Sequence, residues 1–144
     1  MSLAFAEAGA ELMLADINET GAQQTAREIE TLGRRAVPVR CDVSEPDQIR
    51  ALFEQPDDEF GRIDVLANVA GGASIETRPP EETPLEDVAA FMQSLMFGRF
   101  CCCQEVGRRM LSAGKGSIIK ITSIAGLTAL GRSHAPYSMA MRLI

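Results

Sequence analysis

The chain has 144 residues, 46% hydrophobic and 24% charged, with a formal net charge of −6 and a mean hydropathy near zero, the profile of one globular domain rather than of disordered sequence. The acidic balance lacks the basic stripe that grips a phosphate backbone, which argues against nucleic acid as a partner. No apolar run reaches the ~18 residues that cross a bilayer, and Met1-Ser-Leu-Ala-Phe-Ala-Glu7 has no basic n-region, so no membrane partner and a cytoplasmic setting are expected.

In chain order, residues 2–8 read as the last two turns of a helix closed by Gly9, and Ala10 to Ala15 as a short buried strand ending at Asp16. Asn18 is placed to cap a helix whose apolar positions Ala22, Ala26, Ile29 and Leu32 recur at helical spacing until Gly33 stops it. A second strand runs from Ala36 to Cys41. Ser44 is predicted to cap a third helix, with Asp47 completing a capping box and Ile49, Leu52 and Phe53 on the apolar side. Gly61 and Arg62 precede a strand from Ile63 to Ala67, which runs into Asn68-Val-Ala-Gly71-Gly72. Arg78 to Pro84 is a proline-rich loop. Thr83 with Glu86 makes another capping box, and a long helix follows to about Leu111, its apolar face made of Leu85, Val88, Ala89, Met92, Leu95, Met96 and Phe100. Gly116 to Ile121 is a β-branched strand, and Tyr137 opens a last helix. Strict alternation of helix and strand predicts an α/β fold with a parallel sheet.

In such sheets ligands bind beyond the carboxyl ends of the strands. Asp16 stands where a carboxylate accepts hydrogen bonds from the ribose hydroxyls of NAD, or where it caps the next helix. Asp42-Val43 suits an adenine amino group or a turn. Asn68, Ala70 and Gly71 follow a buried strand with small residues that let a ligand approach the backbone, and Gly72 and Ala73 extend that tolerance. Cys101, Cys102 and Cys103 point about 100° apart on a helix, so they cannot share a metal; with Cys41 they read as small buried residues, and no metal is expected.

Five segments in order resemble the short-chain dehydrogenase/reductase family: Phe5-Ala-Glu-Ala-Gly-Ala10, Asp16, Cys41-Asp42-Val43, Asn68-Val-Ala-Gly71, and Gly116-Ser-Ile-Ile-Lys-Ile-Thr-Ser123 with Tyr137. The resemblance runs through all 144 residues, read as one partial NAD(P)-binding domain. It implies a Rossmann-like doubly wound parallel sheet and hydride transfer between a nicotinamide cofactor and an alcohol or carbonyl substrate. Tyr137 would act as acid or base and Ser123 would hold the substrate oxygen. Asp16, with no arginine directly after it, favours NAD over NADP. Relatives pair the long helix and the tyrosine helix across a dimer interface, so a homo-oligomer is expected of the full-length form.

The departures are specific. The family's lysine, four residues after the tyrosine, is Met141 here; anchoring on Gly98, Phe100 and Gln104, its asparagine position is Leu95. Arg142 lies one helical step, about 100°, from the lysine's face. The glycine-rich phosphate turn, the first strand and the last strands of the family's sheet have no counterpart in 1–144. The first strand sits at the centre of that sheet, between the strands ending at Asp16 and Asn68, so two half-sheets with unpaired inner edges are expected. Two other readings stand beside the enzyme. One is a degenerate, non-catalytic relative kept as a binding or dimerising module; the other is a nucleotide-binding α/β domain such as a methyltransferase, which leaves the Ser123 to Tyr137 segment unexplained.

Overall fold

The structure, a computed structural model, describes residues 1–72, 78–128 and 134–142, with all their side chains except those of 55–58. Helix α1 (Ser2–Glu7) ends at Gly9, whose φ of +99° is open to glycine, and strand β1 (Leu12–Asp16) follows. Helix α2 (Glu19–Thr31) is capped by Asn18, which accepts from the Gly21 N–H at 3.1 Å, and it ends before Gly33 at φ +74°. Strand β2 (Ala36–Arg40) pairs parallel with β1 from Leu12↔Ala36 to Asp16↔Arg40. Pro38 lacks a ladder donor, and among the described residues β2 pairs with no other strand, as an edge strand should.

Helix α3 (Pro46–Glu59) begins one residue later than a Ser44 cap requires. Ser44 fails as the cap because Asp42 captures it: the Ser44 hydroxyl and N–H both donate to Asp42 Oδ1, at 2.7 and 2.8 Å. Strand β3 (Val65–Asn68) pairs parallel with β4 (Ser117–Lys120), from Val65↔Ser117 to Asn68↔Lys120. The expected division of the sheet is present: among the described residues β1 pairs with β2, β3 with β4, and no ladder joins β1 to β3.

Alternation along β1 explains the layers. Leu12 and Leu14 pack on one side against Ala6, Ala26, Ile29 and Ala36, under α1 and α2. Met13 and Ala15 pack on the other against Ile49, Leu52 and Phe53 of α3 and Cys102, Val106 and Met110 of the long helix. Leu66 of β3 reaches that second cluster, so one apolar core spans both half-sheets.

The long helix comprises α4 (Leu85–Phe91), a π-helical segment Met92–Gly98, and α5 (Arg99–Ala113), which stops at Gly114 in the left-handed region, φ +70°. The Thr83 capping box does not form, since Thr83 Oγ1 donates to the Pro79 carbonyl at 3.0 Å. The predicted apolar face is only partly correct. Leu85 and Phe100 are 79% and 59% exposed, while Phe91, Leu95, Cys102, Val106 and Met110 are buried. Helix α6 (Ala135–Arg142) packs on α4 and the π segment through a cluster of Phe91, Leu95, Ala140 and Met141, with Tyr137 and Met92 against it. No helix among the described residues is long and apolar enough to cross a membrane.

Candidate active site

Ser123 ends the segment after β4, where its Oγ accepts from the Ala125 N–H at 3.2 Å and caps the short turn Ile124–Gly126. That turn lies directly on α6, because a Cβ on Gly126 would come within 2.7 Å of the Met141 carbonyl oxygen. Ser123 and Tyr137 therefore sit on two elements in backbone contact. Tyr137 is half-buried, its ring meeting Phe91 edge-on at 6.2 Å and 71°. Among the described residues its hydroxyl has no hydrogen-bond partner, and no bond joins it to Ser123.

The predicted residues at the other strand ends divide into exposed groups and tied ones. Asp16 is exposed; one carboxylate oxygen accepts from the Asn18 N–H at 2.8 Å, while the capping of α2 falls to Asn18 itself. Asp42 is tied to Ser44, and these hydrogen bonds hold its carboxyl below the ordinary 3.8, with Arg40 assisting and burial opposing. A depressed carboxylate stabilises the fold above its unfolded value and loses that contribution as the pH falls through its folded value. Asp42→Asn should therefore lower the urea midpoint at pH 7, and the gap to the parent should close as the pH falls below 3.8. An equal gap at pH 7 and pH 3 would count against this.

Val43 sits under the long helix, its carbonyl oxygen against Gly98 so closely that no Cβ fits there. Asn68 is 5% exposed, and its amide donates into α5, to the Arg99 carbonyl at 3.3 Å and to Cys103 Sγ at 3.2 Å. Gly71 is exposed at φ +113°, and a Cβ there would meet Leu95 Cδ2 at 2.9 Å. A Cβ on Gly72 would meet nothing within 4 Å, and Ala73 lies outside the described residues. Cys102 is buried, which pushes its thiol up to about 12 and leaves it neutral.

Leu95 and Met141, the two departures in the sequence, lie in one buried cluster. Arg142 turns away to donate to the Gly126 carbonyl at 3.2 Å. The His134 carbonyl accepts from the Ser138 N–H at the start of α6, and the His134 Nδ1 is buried without a partner among the described residues.

Sequence reasoning missed Arg99. It is 3% exposed, and its guanidinium donates from Nε to Ala70 O at 3.0 Å, from Nη2 to Val69 O at 3.0 Å, and from Nη1 to Ile121 O at 2.6 Å. Burial lowers its pKa, and the nearby Tyr137 and Cys102 side chains push it back up. Removing the guanidinium would leave three carbonyls without their shared donor, at about 1–3 kcal/mol for each that water does not reach. The signal was available: Leu95, Arg99, Cys102 and Val106 share a helical stripe in which arginine is the one charged member.

The short chain dehydrogenase family model matches residues 1–140. D-threitol dehydrogenase of Mycolicibacterium smegmatis is 36% identical over 134 residues, covering 93% of this chain and 50% of its own length. 7alpha-hydroxysteroid dehydrogenase of Escherichia coli K12 is 33% identical, covering 99% and 57%. A short-chain type dehydrogenase/reductase from Mycobacterium marinum superposes with a TM-score of 0.92 at 31% identity, covering 99% of this chain and 57% of that one. A 7 alpha-hydroxysteroid dehydrogenase solved with NADH and 7-oxo glycochenodeoxycholic acid gives 0.91 at 30% identity, covering 98% and 54%. The chain spans about half the length of the curated relatives it matches.

Proposed function

Because the chain belongs to the short-chain dehydrogenase family, we propose that residues 1–144 carry the cofactor-facing and catalytic part of an NAD-dependent oxidoreductase acting on a small alcohol or carbonyl substrate. The observation that carries the reading is the contact of the Ser123 turn with α6, which puts a hydroxyl and a phenol on abutting elements beyond the end of β4. Tyr137, with no hydrogen-bond partner among the described residues, would give or take the proton of the substrate oxygen, and Ser123 would hold that oxygen.

The residues present fit a dinucleotide. Asp16 offers an exposed carboxylate to ribose hydroxyls, and the exposed Gly71 and Gly72 leave backbone open to close approach. When bound, the nicotinamide supplies or accepts the hydride. NAD is preferred because Asp16 repels a 2′-phosphate; the relative solved with NADH supports the same choice. Asp42 and Val43 are assigned to the adenine side through their backbone, since the Asp42 carboxylate is occupied by Ser44. Exposed Phe97 and Phe100 on the long helix support association of two copies in a longer form.

One observation favours the second reading, a non-catalytic binding or dimerising relative: Leu95 and Met141 fill one apolar cluster where the family places polar groups. NADH titration followed by nicotinamide fluorescence separates the cases. Saturable binding that Asp16→Ala weakens by about tenfold or more is expected, since a charged hydrogen bond contributes about 1.5–3 kcal/mol. Turnover with small ketones, lost in Tyr137→Phe, would favour the enzyme; binding without turnover favours the binding module; no saturable binding sinks the enzyme and leaves only the dimerising module.

A further inference from the structure

We propose that Arg99 is a positioning residue whose guanidinium clamps the backbone beyond β3 to the backbone beyond β4, holding the glycine loop and the Ser123 segment at one spacing. The β3–β4 ladder ends at Asn68↔Lys120, with the Ile121 N–H to Asn68 O bond of 3.1 Å as its last rung. Beyond that rung Val69 and Ala70 turn toward Gly71, while Ile121 leads to Ser123. Their three carbonyls are joined by one planar guanidinium, at 3.0, 3.0 and 2.6 Å.

The anchor is reciprocal. Asn68 donates its side-chain amide to the Arg99 carbonyl, so the helix backbone is held by β3 while the Arg99 side chain holds the residues just beyond β3. Among the described residues no carboxylate pairs with Arg99. A buried cation satisfied by carbonyls alone is a costly way to stabilise a core, but its rigid fork fixes the mutual position of its acceptors in a way a point charge does not. Val69 and Gly71 are exposed and Arg99 is not, so the clamp lies directly beneath the surface that meets a ligand. The carbonyls it gathers come from both halves of the proposed cofactor and substrate site, and the functional part of the inference rests on that assignment.

The chain contains one tyrosine and no tryptophan, so its near-ultraviolet circular dichroism band reports Tyr137 directly. Arg99→Lys keeps the charge and loses the fork; Arg99→Ala leaves a cavity that ethylguanidinium can enter. Each variant is compared with the parent in the native baseline of its urea curve, where unfolded chain contributes nothing. Expected for Arg99→Lys are a parent-like far-ultraviolet spectrum, a reduced tyrosine band, and NADH affinity lower by at least about tenfold, given how steeply function depends on ångström-scale misplacement. Ethylguanidinium should restore band and affinity in Arg99→Ala and change neither in the parent.

Parent-like band and affinity in Arg99→Lys would overturn the proposal, as would failure of ethylguanidinium to restore a folded Arg99→Ala. If Arg99→Ala does not fold, Arg99→Lys decides alone. If the parent itself does not bind NADH, the assigned function fails while the tyrosine band still tests the clamp.

Discussion

Met141→Lys is expected to destabilise the chain by about 3–5 kcal/mol at pH 7, the scale on which an uncompensated buried charge acts. Met141 is 7% exposed, among Phe91, Leu95 and Ala140, with Tyr137 and Met92 beside it, and none of these offers a carboxylate. A lysine there would hold its proton less tightly folded than unfolded. The sign is then fixed: the folded state binds fewer protons, so stability rises with pH, and the penalty fades toward the unfolded lysine value of about 10.4. Urea midpoints at pH 7 and pH 10 measure this. Leu95→Asn in the same molecule should recover part of the loss, with a coupling of about 0.5–3 kcal/mol for residues sharing a site. Strict additivity would show that the two positions do not communicate and would remove the structural case for treating them as a joint replacement. Turnover in the double variant would count against the non-catalytic reading.

Gly98→Ala should be the other severe change, costing about 3 kcal/mol, at the upper end of ordinary overpacking. The backbone of Gly98 is helical, so its conformation is not the obstacle; the Val43 carbonyl is, because it occupies the place of the new methyl. Relief would need the Asp42–Ser44 turn and the helix to separate, and Gln93 Nε2 ties them nearby with a 2.9 Å bond to Ser44 O. Gly107→Ala is the control. It lies in α5 with nothing within 4 Å of the new Cβ, so helix propensity alone should make it about 0.8–1 kcal/mol more stable. A Gly98→Ala midpoint close to the parent's would mean that the turn and the helix do not touch at this point.

What was legible in the sequence was what local chemistry decides. Asn18 caps its helix, Gly9 and Gly33 end theirs, and the β-branched run before Ser123 is a strand, because each depends on a few neighbouring residues. The split sheet was legible for a different reason: a topology inferred from motif order said which strand lies between β1 and β3. The failures came from competition between local options. Ser44 could cap a helix or bond Asp42, and only the folded turn shows the second winning. Thr83 likewise chose the Pro79 carbonyl. At the candidate site, Ser123 and Tyr137 could be named but not joined, since their approach depends on how closely the Gly126 turn sits on α6. Arg99 was passed over because a charged residue in a helix is ordinarily read as solvent-facing, and its three acceptors come from chain segments some twenty to thirty residues away.

The π-helical segment has a consequence of phase. Phe91 and Met110 both face inward yet lie nineteen positions apart, and a plain α-helix would carry that separation about 100° past five full turns. The wide turn at Met92–Gly98 absorbs the surplus residue. It sets the half of the helix that meets α6 and the half that meets α3 on independent clocks, so that a one-residue indel in this stretch is a rotation. A one-residue deletion there would swing Arg99 off its carbonyls and bring Phe100 into its buried place.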